Sequence, residues 1–235
     1  MSNDFRNLRK VKLFTELPTT ALQLMYDSAR PVQMEAGCFF FHQNERAEMM
    51  YVLLDGQVKM TLLGPEGRQV LIRIVAPCED FGAVSAIVGS DYPLTAEAVT
   101  RCRTLAWEQK DIMRIIDSYP MLRETAFQIA VKRFRQLQKR FRELATESAE
   151  QRIARALLRL SNQAGLPKTE GMLIDLALSR GDLAEMTGTS LYTVSRTLSQ
   201  WERDGLLKNG RGKVLIRDCA QLITLATPPE NPPFN

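Results

Sequence analysis

Apolar residues recur at three- and four-residue intervals through Phe127, Ala130, Phe134, Leu137, Phe141 and Leu144, while positions between them hold Lys132, Arg133, Arg135, Lys139, Arg140 and Arg142. That spacing places the six on one stripe of an α-helix over residues 119–146, an a/d seam that is stable in water only when something covers it. A second copy of the chain is the cover this pattern predicts, making the segment a two-fold dimerisation helix. Two alternatives stay open: packing of the helix on its own chain, and a basic amphipathic helix of the membrane-surface or calmodulin-target kind.

Before this helix the pattern changes to short apolar runs. Runs rich in β-branched and aromatic residues at 39–41, 50–54, 58–63, 70–75, 95–99 and 103–107 are separated by turns such as Asp55-Gly56 and Pro65-Glu66-Gly67, which predicts six or more short strands. Strands of that number and length form a jelly roll or small barrel over residues 1–118, whose interior holds either side chains or one small ligand. Helices are expected to flank it at 19–29 and 110–118.

After the long helix, the stretch RGDLAEMTGTSLYTVSRTLSQW from Arg180 to Trp201 carries the spacing of a helix-turn-helix. Leu183 and Ala184 lie on the inner face of a first helix, Gly188 supplies the left-handed turn, and Val194 and Leu198 point back across it. Ser190 is placed to cap a second helix that begins near Leu191. On that helix Leu191, Tyr192, Ser195 and Arg196 are free to face a DNA major groove, with Arg196 suited to the O6 and N7 of guanine. Ser190 and Thr193 are placed to hold phosphates. A bare helical hairpin is the alternative. The following ERDGLLKNGRGKVLIRD reads as a β-hairpin wing, with Gly205 ending the helix and a turn within Asn209 to Gly212. From Arg196 to Arg217 there are six basic residues against two acidic ones, an excess suited to phosphates, with Lys208, Arg211 and Lys213 on the wing.

Composition narrows the class further. With 235 residues, 45% of them hydrophobic, the chain can bury a sizeable core, and its net charge of +4 is mild. The excess is local: residues 119–146 hold seven basic and two acidic side chains. Cys38, Cys78, Cys102 and Cys219 are scattered without a C-x-x-C pair, so reduced thiols are expected rather than a disulfide framework or zinc finger. The first ten residues lack an apolar signal core and no run approaches a membrane span, so a cytoplasmic protein with no membrane partner is expected. Residues 228–235, rich in proline, read as a disordered tail. A single histidine, His42, cannot furnish the metal set of a cupin enzyme, and neither a G-x-x-x-x-G-K-S/T loop nor a G-x-S-x-G elbow is present, so no enzymatic activity is expected.

The order of parts, together with FHQNERAEMMYVLLDGQVKM, LAWEQKDIMRIIDSYPML and LSRGDLAEMTGTSLYTVSRTLSQWERDGLL, resembles the cyclic-AMP-receptor and fumarate-nitrate-regulator (Crp/Fnr) family of bacterial transcription factors over nearly the whole chain. The resemblance implies an α+β fold: a cyclic-nucleotide-binding-like β-roll as sensor (1–118), the dimerisation helix (119–146), a winged helix-turn-helix (147–227) and the tail. It further implies a homodimer that binds a palindromic promoter site and recruits or obstructs RNA polymerase. Where many members carry a glutamate two residues into the recognition helix, this chain has Tyr192, which cannot accept from cytosine N4 as a carboxylate does.

The family's known effectors fit unevenly. Nucleotide-binding members carry a Gly-Glu pair and an arginine that grips the phosphate, whereas this chain has Gly82-Ala83 and Leu94-Thr95, which argues against cyclic AMP or GMP. The first 37 residues contain no cysteine, which argues against the iron-sulfur type. Three readings stay open: a haem ligated through His42 with Met49, Met50, Met60 or a cysteine; an apolar effector near Gly82, Ala83, Val84, Ile87, Leu94 and Thr95; and a sensor that takes no ligand. Any signal is expected to reach the DNA-binding part through a hinge near Ala145 to Ser148. The rival functional class is a ligand-binding or protein-interaction dimer that does not act on DNA.

Overall fold

The computed structural model describes residues 3–67 and 69–227; the proline-rich segment 228–235 lies outside them. The N-terminal half runs α1 (Asn3–Leu8), α2 (Thr19–Ser28), β1 (Arg30–Met34), β2 (Phe39–Phe41), β3 (Met49–Asp55), β4 (Val58–Leu63), β5 (Gln69–Val75), β6 (Asp80–Phe81), α3 (Ala83–Val88), β7 (Thr95–Ala98), β8 (Cys102–Glu108), α4 (Gln109–Ser118) and α5 (Met121–Thr146). Among the described residues its strands form two antiparallel four-stranded sheets, ordered β1-β8-β3-β6 and β2-β7-β4-β5. Both sheets feed one apolar core, with Val52 and Leu53 from the first and Val58, Met60 and Ala96 from the second. β3 lies inside its sheet and is buried from Met50 to Leu54, which is why MMYVLLD reads as a nearly continuous apolar run rather than an alternating one.

Turn chemistry fixes the sheet corners. Gly56 joins β3 to β4 at φ +94°, and a Cβ there would lie 2.5 Å from the Arg101 carbonyl oxygen, so the turn admits only glycine. Two strands that the pattern did not mark, β1 and β6, complete the first sheet. β1 contains Pro31 and lies at a sheet edge, where the missing N–H costs nothing. Leu22 and Met25 of α2 and Ile112, Ile115 and Ile116 of α4 close the core, and the Trp107 indole N–H donates to the Met25 carbonyl at 2.7 Å.

α5 is divided as its sequence is. Leu122 and Ala126 on its first turns are buried in the roll's core, with Ile129 packed at the margin. Arg133 reaches back to Asp80 on β6 at 2.9 Å. The stripe of Phe127, Phe134, Leu137, Phe141 and Leu144 is instead 45–75% exposed, with Ala130 half-buried beside it. One face of the helix thus packs on its own chain while the seam remains uncovered.

The compact units divide inside α5, between Leu137 and Gln138. The second contains the end of α5, then α6 (Ala149–Ala164), β9 (Gly165–Lys168), β10 (Gly171–Asp175), α7 (Arg180–Thr187), α8 (Leu191–Arg203), β11 (Leu207–Gly210), β12 (Lys213–Ile216) and α9 (Cys219–Ala226). Its described strands form a sheet ordered β11-β12-β10-β9. Ser148 restarts the helix as α6 through a capping box with Gln151. Beside the segment Ala145 to Ser148, Glu143 pairs with Arg159 at 2.6 Å and Glu147 with Arg155 at 2.8 Å, both carboxylates being almost fully buried. Arg152 adds bonds to the Glu147 and Thr187 carbonyls at 2.6 and 2.7 Å. Burial and the neighbouring Arg159 lower the Arg140 guanidinium to about 10.

Candidate nucleic-acid interface

The turn between α7 and α8 is built as its residues require. Ser179 and Asp182 cap α7 reciprocally, at 3.0 and 2.8 Å, and Gly188 ends it in the left-handed region at φ +57°. A Cβ on Gly188 would also lie 2.7 Å from the Leu144 Cδ2, so the last residue of the seam seats against this turn. Arg152, which sequence periodicity did not single out, donates to carbonyls of Thr187 and Gly188. The signal for it was indirect: a helix that ends in a turn leaves carbonyls in need of a donor.

Ser190 caps α8 by accepting the Thr193 N–H at 3.0 Å, and its hydroxyl also bonds the Thr193 hydroxyl at 2.9 Å. Both proposed phosphate ligands are therefore engaged in holding the helix start. Val194, Leu198 and Trp201 are buried beneath α8, and the Trp201 indole N–H donates to Glu150 at 3.1 Å. At about 100° per residue, Tyr192 and Arg196 lie on the side opposite that buried stripe. Tyr192 is 73% and Leu191 56% exposed, Arg196 is exposed and Ser195 half-buried. Among the described residues neither Arg196 nor Tyr192 has a hydrogen-bond or ion-pair partner.

The wing follows. Asn209, read as part of the turn, instead lies in β11 and ties it to α8: its N–H donates to Glu202 at 2.8 Å and its side-chain amide to Glu202 and the Leu198 carbonyl. Those bonds hold the Glu202 carboxyl below its usual range. Arg211 and Gly212 form the turn itself. Lys208 and Arg211 are exposed and lack an ion-pair partner among the described residues, whereas Lys213 pairs with Asp175 at 2.8 Å on the surface. Such exposed pairs are weak, about 0–1 kcal/mol, so Lys213 is readily given up to another anion.

In the roll, the candidate effector residues are drawn into packing. Gly82 leads into α3 at φ +74°, Ala83 and Ile87 are buried in the core, and Leu94 packs at its edge. Val84 and Thr95 are half-buried, and the Thr95 hydroxyl accepts the Gln43 N–H at 3.0 Å. Tyr92 stacks on Phe41 with centroids 3.6 Å apart, donates to the Met49 carbonyl at 2.6 Å, and has its phenol pushed up by burial to about 12. None of Gly82, Ala83, Val84, Ile87, Leu94 and Thr95 carries a cationic side chain that could pair with a phosphate. His42 is exposed, with its ring 4.7 Å from that of Phe39, while Met50 and Met60 are buried in the core. Among the described residues no three His, Cys, Asp or Glu side chains gather as a metal site. No described helix is long and apolar enough to cross a membrane.

A β-roll, a long helix and a winged helix-turn-helix in this order are the architecture of a transcription regulator with a helix-turn-helix DNA-binding domain. Comparison with known proteins agrees. A family profile described as the cyclic nucleotide-binding domain matches residues 31–119, and one described as the Crp-like helix-turn-helix domain matches residues 151–225. The nitrogen fixation regulation protein FixK of Azorhizobium caulinodans is 28% identical over 208 residues, 83% of each chain. The cyclic AMP receptor protein of Thermus thermophilus is 26% identical over 202 residues, 86% of this chain and 87% of that one. The structure of FixK2 from Bradyrhizobium japonicum shares the fold, with a TM-score of 0.77 at 22% identity over 86% of this chain and 98% of that one. The chain belongs to the Crp/Fnr family of transcription regulators.

Proposed function

We propose that two copies of this chain pair along the exposed stripe of α5 and bind an inverted repeat in duplex DNA, each inserting α8 into a major groove. The observation that carries this reading is Arg196: an exposed guanidinium without an internal acceptor, on the outer side of a helix whose inner side is pinned by Val194, Leu198 and Trp201. A planar cation so presented makes two parallel bonds to guanine, and Lys208 and Arg211 on the wing supply phosphate contacts. The β-roll is the sensor, its effector being something other than a cyclic nucleotide. Its signal passes into α5, whose first turns share the roll's core, and the bound dimer then recruits or obstructs RNA polymerase.

The test is fluorescence anisotropy with duplexes selected from a random pool. Affinity should fall steeply with salt, with a log-log slope of about −0.9 for each phosphate neutralised, and Arg196→Ala should weaken the selected site by roughly tenfold or more per half-site. A dimer that takes only a small ligand or a protein partner would show neither, and that result contradicts the proposal.

A further inference from the structure

Tyr192 and Leu191 are large, apolar and mostly exposed, side by side on the first turn of α8. Neither has an intramolecular role that accounts for its exposure. The Tyr192 hydroxyl has no partner among the described residues, and the stripe that packs the helix runs through Val194, Leu198 and Trp201. On the same outer side Arg196 is exposed one turn along, and the wing tied to the far end of α8 carries the exposed Lys208 and Arg211, so this part of the chain fits a polyanion. In the major groove of DNA the one apolar group presented is the C5 methyl of thymine.

Building on the DNA-binding reading, we propose that Tyr192, flanked by Leu191, reads a thymine through its methyl group and so sets an A·T pair in each half-site. Four residues separate Tyr192 from Arg196, a rise of about 6 Å along the helix, and both lie on its outer side. The thymine therefore falls within about two base-pair steps of the guanine held by Arg196, given roughly 3.4 Å per step. The contact comes from the ring rather than the hydroxyl, since a methyl neither donates nor accepts a hydrogen bond.

The experiment uses the full chain and the duplexes it selects from a random pool, with each thymine replaced in turn by deoxyuridine, which removes only the methyl. One replacement per half-site, within two base pairs of the guanine whose selection depends on Arg196, should weaken binding about fourfold, the worth of one buried methyl group. Tyr192→Phe should keep that sensitivity, and Tyr192→Ala should bind the thymine and deoxyuridine duplexes equally. Tyr192 is mostly exposed, so both variants should fold. Equal binding of every deoxyuridine duplex by the wild type overturns the inference, as does loss of the sensitivity in Tyr192→Phe or its persistence in Tyr192→Ala. A pool yielding no preferred sequence would overturn the DNA-binding reading itself, a result distinct from selected sites in which no methyl matters.

Discussion

With its side chain only 6% exposed, Asp80 accepts from Arg133 at 2.9 Å, and its carbonyl oxygen accepts from Arg73 at 2.7 Å. Burial lowers the Arg73 guanidinium to about 10, and the charge of nearby Arg133 pushes the same way. The carboxylates of Asp80 and Glu79 are what make two adjacent arginines tolerable there. Asp80→Ala should therefore destabilise the N-terminal unit by about 2–3 kcal/mol, less than for a wholly buried pair because Arg133 remains partly in water. Urea unfolding followed by tryptophan fluorescence from Trp107 checks this; a midpoint unchanged in Asp80→Ala would show that the network carries no net stability. Periodicity could not have found the pair, because residues 53 positions apart in the chain leave no local pattern. Arg196, by contrast, was legible, since its exposure follows from the helix period alone.

Among the elements, those with strong local pattern appeared where the sequence placed them. α5 spans Met121–Thr146 against an expected 119–146, and α8 begins at Leu191 behind its Ser190 cap. The hairpin of β9 and β10 was not foreseen, because Gly165 and Pro167 give β9 little strand preference; the strand tolerates that proline by lying at the sheet edge. At the joint between α5 and α6 two nearly buried carboxylates, Glu143 and Glu147, hold the chain to α6, a tie between residues too far apart for helix periodicity to mark. At the adjoining turn, Gly188→Ala meets two obstacles, a positive φ and the Leu144 methyl. It should cost the C-terminal unit about 1–2 kcal/mol for the backbone alone and more for the clash. Adding Leu144→Ala should recover the second part but not the first. Equal costs in the two backgrounds, measured by thermal unfolding, would show that Leu144 does not press on the turn.

For the molecule as a whole, the proposed function depends on what covers the α5 seam. Aromatic and leucine side chains standing 45–75% in water gain roughly 1–2 kcal/mol each when buried, and a second copy offers the same stripe by symmetry. Pairing through it would set two α8 helices on one side of a duplex, where half-sites lie about one turn, ~34 Å, apart. Phe134→Arg puts a charge on each side of that seam and should separate the copies. Hydroxyl-radical footprinting of the wild type and of Phe134→Arg, on a duplex the wild type selects, tests the account most directly. It predicts two protected patches about ten base pairs apart, related by inversion, for the wild type, and loss of both at the same concentration for Phe134→Arg. A single patch, or the same double footprint from the variant, would contradict it.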